Sequence, residues 1–84
     1  MYGERRTHMD ILASILDACQ DLTLRTQVMY RCNLSFKQLT GYLDLLLKTH
    51  LLLIQNDPQH SLLIVSSKGK KFLKAYSSIM ALME

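Results

Sequence analysis

A mainly helical α+β fold with one small β-hairpin is predicted by three features of the sequence. Ser35-Phe36-Lys37-Gln38 opens an amphipathic run with a capping box, in which hydroxyl and amide side chains satisfy two otherwise orphaned N–H groups. Two apolar runs of strand length, Leu51 to Asn56 and Ser61 to Ser66, flank the turn residues Asp57-Pro58-Gln59-His60. A final segment from about Lys68 to Met83 carries apolar residues at helical spacing. Only three Gly and one Pro occur in 84 residues, so most of the chain is free to form regular elements.

The elements follow in order. Met9, Ile11, Leu12, Ile15, Leu16 and Cys19 recur at helical spacing, which predicts a helix from about Thr7 to Gln20. Thr7 suits the N-cap, and Asp10 at the third helical position opposes the helix dipole. Asp21 to Thr26 is too short for a helix of its own and reads as a link or a short strand. Thr26 to Cys32 forms a second helix, with Val28 and Met29 inward and Arg25 and Arg31 solvated. Asn33 marks the break, since Asn tolerates the left-handed conformation of a helix end. Beyond the capping box, Leu39, Tyr42, Leu43, Leu46 and Leu47 make an apolar face to about Thr49. Two short helices joined by three residues make a helix-turn-helix.

The hairpin runs do not alternate strictly, which implies burial on more than one face or an apolar outer face. Ser66-Ser67 caps the last helix, whose front half is basic (Lys68, Lys70, Lys71, Lys74). Within it Leu73, Tyr76, Met80 and Met83 step by three, four and three, a coiled-coil spacing. The order helix, short strand, helix, turn, helix, hairpin, helix is that of a winged helix-turn-helix. The expected architecture is a three-helix core, a two-stranded β-hairpin wing and a C-terminal dimerisation helix. One domain is expected over 1–84, with its core at about 7–66 and the C-terminal helix at 67–84.

Composition narrows the function. Nearly half the residues (49%) are hydrophobic and the net charge is +3, which excludes a disordered tail. The charge is concentrated: from Arg25 to Lys74, eight Lys and Arg face two Asp, a local balance of +6. Such a stretch fits either a polyanion-facing surface or a solubilising one. Cys19 and Cys32 form no CxxC pair and have no His at metal spacing, so no metal site is expected. They fit a reducing, cytoplasmic compartment, and Cys19 reads as a small packed residue. No apolar run approaches 18 residues, the length a membrane span requires, and the start Met1-Tyr-Gly-Glu-Arg-Arg lacks the apolar stretch of a secretory signal. No Gly-rich phosphate loop, HExxH or paired carboxylates occur, and His8, His50 and His60 are scattered. Neither an enzyme nor a cofactor is expected.

The stretch Thr26-Gln-Val-Met-Tyr-Arg-Cys-Asn-Leu-Ser-Phe-Lys-Gln-Leu-Thr-Gly-Tyr-Leu-Asp-Leu-Leu resembles the core of the small archaeal-type winged helix-turn-helix transcriptional regulators. Ser66-Ser-Lys-Gly-Lys-Lys-Phe-Leu is similar to their Thr-x-Lys-Gly motif between the last strand and last helix. The resemblance covers roughly Met9 to Met83. His50 stands where that family usually has Gly, Leu63 where an aromatic is common, and Ser66 where Thr is usual. The resemblance implies double-stranded DNA as partner and transcriptional regulation as function, with a recognition helix at about 35–49 in the major groove.

Helical phase selects the DNA-facing residues. With Leu39, Leu43, Leu46 and His50 as the buried side, the opposite side carries Lys37, Thr40, Gly41, Asp44 and Lys48. Ser35, Phe36 and Gln38 stand at the exposed N-terminal end. Gln38 either pairs with adenine edges or is consumed by capping, and Lys37 contacts guanine or, preferentially, phosphate. Gly41 weakens a helix, and implies close approach of DNA or a tight contact with another helix. Asp44 either accepts from a cytosine amino group or, preferentially, pairs with Lys48 one turn on. Arg25 and Arg31 flank the second helix as phosphate clamps. The wing residues Gln55, Asn56, Asp57, Gln59 and His60 are poor in positive charge, so its contact with DNA is weak or made through His60.

The stripe Phe72, Leu73, Tyr76, Ile79, Met80 and Met83 is expected to form a homodimer interface, because the first helix alone would otherwise have to cover it. Tyr30, Tyr42 and Tyr76 read as core or interface residues. The rival function is a winged-helix protein–protein interaction module without direct DNA binding, since fold does not fix function.

Overall fold

Side-chain caps satisfy the free N–H groups where the longer helices begin. The computed structural model describes residues 6–84; the segment from Met1 to Arg5, on which most of the reading of the chain's start falls, lies outside the described residues. Helix α1 (His8–Ala18) opens on a full capping box. The Asp10 N–H donates to Thr7 Oγ1 at 3.1 Å, and the Thr7 N–H donates to the Asp10 carboxylate at 2.9 Å. Strand β1 (Thr23–Leu24) follows, then α2 (Arg25–Arg31), α3 (Phe36–Lys48), β2 (Leu52–Asn56), β3 (Ser61–Val65) and α4 (Ser67–Leu82).

Both helices of the helix-turn-helix end in a left-handed residue. Asn33 has φ 54° and His50 has φ 62°. After α2, Leu34 N–H donates to Met29 O at 3.0 Å and Asn33 N–H to Tyr30 O at 3.2 Å. After α3, Leu51 N–H donates to Leu46 O at 2.9 Å and His50 N–H to Leu47 O at 3.1 Å. Both pairs are Schellman closures, in which the left-handed residue is ordinarily Gly. The Asn33 break is as expected. His50, expected on the buried side of α3, is instead exposed, because a residue turned to positive φ no longer continues the helical phase.

The hairpin strands β2 and β3 pair antiparallel from Leu52↔Val65 to Asn56↔Ser61. β1 adds to the other edge of β3, with Thr23 opposite Leu63, giving the order β1-β3-β2. The expected two-stranded wing is thus part of a three-stranded sheet. Leu63 is buried on the central strand, whereas Leu53 and Ile54 on the edge strand β2 are exposed. The broken alternation of the first run therefore reflects an apolar outer face.

The core lies between α1, α2, α3 and the sheet. Ile15, Leu16, Cys19, Val28, Leu39, Leu43, Leu46, Leu52 and Leu63 are almost wholly buried. Each aliphatic side chain so buried contributes about 1.5–3 kcal/mol. Phe72 and Leu73 of α4 are half-buried against this core, so the first turns of the C-terminal helix belong to it. Tyr30, one of the three tyrosines expected in the core or at an interface, is 78% exposed and so lies outside the core, since α2 turns only Val28 fully inward. Among the described residues, no helix is long and apolar enough to cross a membrane.

Candidate nucleic-acid interface

Helix α3 starts at the Ser35 capping box. The Gln38 N–H donates to Ser35 Oγ at 3.1 Å, and the Ser35 N–H donates to Gln38 Oε1 at 2.9 Å. Capping therefore occupies the Gln38 oxygen and leaves its Nε2 for other partners. The Thr40 hydroxyl donates back to Phe36 O at 2.8 Å, so its free capacity is as an acceptor. Leu39, Leu43 and Leu46 are buried, which fixes the rotation of the helix. Phe36, Lys37, Gln38, Thr40, Gly41, Asp44 and Lys48 are all exposed, as is the cap Ser35. Phe36 is 67% exposed, a large ring with no place in the core.

The expected pairing of Asp44 with Lys48 is not formed; among the described residues, the one oppositely chargeable side-chain pair within 4 Å is His60 with Asp57. Asp44 and Lys48 are exposed on the surface of α3, where the net gain from such a pair is small. Arg25 and Arg31 stand at the two ends of α2. Arg31 is solvated as expected, whereas Arg25 is half-buried where β1 runs into the helix. Arg31 Nη1 donates to Ala18 O at 3.3 Å, at the C-terminal end of α1, where a cation also meets the negative end of the helix dipole.

At the wing tip, Asp57 Oδ1 accepts from the Gln59 N–H at 2.8 Å and the His60 N–H at 2.6 Å. These backbone donors hold its carboxyl below the usual carboxylate range. The tip therefore carries a fixed negative charge, with the His60 Nδ1 at 3.8 Å from the same oxygen.

Two residues beside the helix-turn-helix were not among those the sequence singled out. Arg6 Nη1 donates to Cys32 O at 2.6 Å and Nη2 to Asn33 O at 3.3 Å, clasping the turn. His8 meets Tyr42 of α3 edge-on, with ring centroids 5.8 Å apart. Local spacing links neither residue to its distant partner; the positive charge of Arg6 was the available signal.

The cysteines are structural. Burial pushes the Cys19 thiol up to about 12, and burial also raises Cys32 despite Arg6 and Arg31 nearby. At that value Cys19 carries almost no thiolate, the nucleophilic form. Among the described residues, no group of three or more His, Cys, Asp or Glu could hold a metal ion.

The arrangement of a capped, outward-facing third helix beside a hairpin defines a winged-helix protein. A family model described as winged helix-turn-helix matches residues 5–84, and the chain belongs to that family. Among solved structures it is similar to Sso10a-2, a DNA-binding protein from Sulfolobus solfataricus, with 24% identity and a TM-score of 0.84 over 93% of this chain and 82% of that one. It is similar to the PcaV transcriptional regulator from Streptomyces coelicolor, with 22% identity and a TM-score of 0.81 over 95% of this chain and 59% of that one. It is also similar to a mutant of MepR from S. aureus bound to oligodeoxyribonucleotide, with 18% identity and a TM-score of 0.74 over 89% of this chain and 56% of that one. The chain thus spans little more than half the length of the last two. No curated protein matches it in sequence. The fold and family expected from the helix-turn-helix and Ser66 motifs are as read, and the Sulfolobus structure is an archaeal example of the same fold.

Proposed function

We propose that this chain is a sequence-specific double-stranded DNA-binding transcriptional regulator, with α3 in the major groove. The observation that carries the reading is the outward line Lys37, Gly41, Asp44 and Lys48 on α3, all exposed and opposite the buried Leu39, Leu43 and Leu46. Ser35, Phe36, Gln38 and Thr40 complete the reading face. Phe36 offers apolar contact to a thymine methyl, and Lys37 and Lys48 offer phosphate or guanine contacts. Arg25 and Arg31 add phosphate contacts, Arg31 by exchanging its bond to Ala18. The wing, with its negative Asp57 tip, contributes little affinity. The Sulfolobus DNA-binding protein and the Streptomyces regulator, which share the fold, support the same reading.

The protein works as a homodimer joined through α4. Ile79, Leu82 and Met83 are 53%, 86% and 49% exposed, and Met9 of α1 is 48% exposed beside Ile79 and Met83 in a groove with Met80 and Tyr76. A stripe of this kind on a small domain calls for a second copy. Phe72 and Leu73, half-buried against the core, form its inner end.

Selection of bound duplexes from random DNA tests both halves. An enriched palindrome is expected, because a two-fold dimer reads two half-sites. Failure to enrich any sequence, with no binding at low salt, would favour the protein-interaction reading instead. Sedimentation at micromolar concentration should give twice the 9.7 kDa chain mass, and Met80→Glu should return it to a monomer.

A further inference from the structure

The outward line of α3 has a gap at its centre. Gly41 is the sixth of thirteen residues in the helix, and a Cβ built on it meets nothing within 4 Å. An exposed glycine in a helix interior lowers helix stability relative to alanine. The tight helix–helix contact that would account for it is not present. Gly69 is the contrast, since a Cβ there would collide with Leu51 O and stand 2.5 Å from Val65 Cγ2. The fold requires a glycine at 69 and has no use for one at 41.

The surroundings of Gly41 show what such a bare backbone is suited to meet. It forms part of an open trough lined also by His8, Lys37, Gln38, Tyr42 and Leu45. Lys37 lies one turn before Gly41 and Lys48 two turns after it. The two lysines are about 16 Å apart along the helix axis.

We propose that Gly41 is the point of closest approach between α3 and DNA, a position that sets how deeply the helix enters the groove. This rests on the DNA-binding reading above. Lys37 and Lys48 reach the phosphates on either side, and between them the bare backbone at Gly41 comes to van der Waals distance of the base edges. Any side chain at 41 holds the helix off, and Phe36, Thr40 and Asp44 are withdrawn from the bases with it. The residue therefore governs specificity by having no side chain.

The test is Gly41→Ala, read in two ways beside Lys37→Ala. Thermal melting of Gly41→Ala should rise by about 4–8 °C, because alanine is the better helix former and the new methyl meets no atom of the chain. Binding to the duplex that the wild-type chain enriches from random DNA should fall by roughly tenfold, the worth of one base interaction, and Gly41→Leu should fall further. Lys37→Ala should lose affinity without the gain in melting temperature. A Gly41→Ala protein that melts higher and binds that duplex as tightly as wild type overturns the proposal while leaving the DNA reading intact. A wild-type chain that binds no duplex overturns both. Loss of self-association, with DNA binding retained, overturns the proposal in favour of a contact between copies.

Discussion

The Ser66 hydroxyl donates to the carbonyl oxygen of His50 at 2.6 Å. Ser66 Oγ in turn accepts from the Gly69 N–H at 3.0 Å, so one side chain both caps α4 and holds the left-handed residue that ends α3. The Ser66 N–H donates to Leu51 O at 3.1 Å, and Lys68 Nζ to Thr49 O at 2.8 Å. The start of the last helix is thereby tied to the end of α3 across the hairpin.

Removing the hydroxyl should show the strength of that tie. Ser66→Ala loses an N-cap bond and leaves the His50 carbonyl without its donor, at a cost of about 1–2 kcal/mol. In a domain of this size the melting temperature should fall by about 4–8 °C for each kcal/mol. Ser66→Thr keeps the hydroxyl and should melt close to wild type. Equal melting of the alanine and wild-type proteins would show that the bond contributes nothing.

Gly69 should tolerate no side chain. The nearest obstacle to a Cβ there is the Leu51 backbone oxygen, and a backbone atom cannot rotate aside. Gly69→Ala should destabilise by at least about 1–3 kcal/mol, the usual overpacking cost. A shift of the urea midpoint to lower concentration, with the slope unchanged, is the expected result. An unchanged midpoint would mean that α4 can move away from Leu51 freely.

The amino-acid sequence made the local devices legible and left the non-local ones hidden. The Ser35–Gln38 box, the Thr7 cap and the Asn33 break each depend on residues close to one another in sequence, so spacing alone identifies them. The partner of His8 is far along the chain at Tyr42, and that of Tyr76 is 66 positions away at Asp10. Helical phase also misplaced His50, because periodicity cannot register the single residue whose φ changes sign. The exposed line of α3 was legible, since Leu39, Leu43 and Leu46 fix the phase. The open space around Gly41 was not, because its two explanations differ in what surrounds the residue.

The bond from the Tyr76 hydroxyl to the Asp10 carboxylate joins α4 to α1 and should give stability a pH dependence. That bond, with the Thr7 backbone N–H, holds Asp10 below its ordinary 3.8. The contribution is therefore present above pH 3.8 and lost as pH falls through the lower folded-state value. Tyr76 is raised above its ordinary 10.0 by the same bond. Its contribution is present below pH 10.0 and lost as pH rises through the higher folded-state value. In Tyr76→Phe, the Asp10 carboxyl followed by NMR should titrate closer to 3.8, and the fall in stability on acidification should be smaller than in wild type. An Asp10 titration identical in both proteins would remove Tyr76 as the cause.

The central claim is that α3 presents a DNA-binding face, and the salt dependence of duplex binding tests it most directly. The logarithm of the binding constant should fall linearly with the logarithm of salt concentration, because phosphate neutralisation releases counterions. Lys37→Ala should make that slope shallower by about 0.9 for each phosphate the lysine no longer neutralises, with the fold and melting temperature retained. Absence of duplex binding at low salt, or a slope that Lys37→Ala leaves unchanged together with the affinity, would contradict the account.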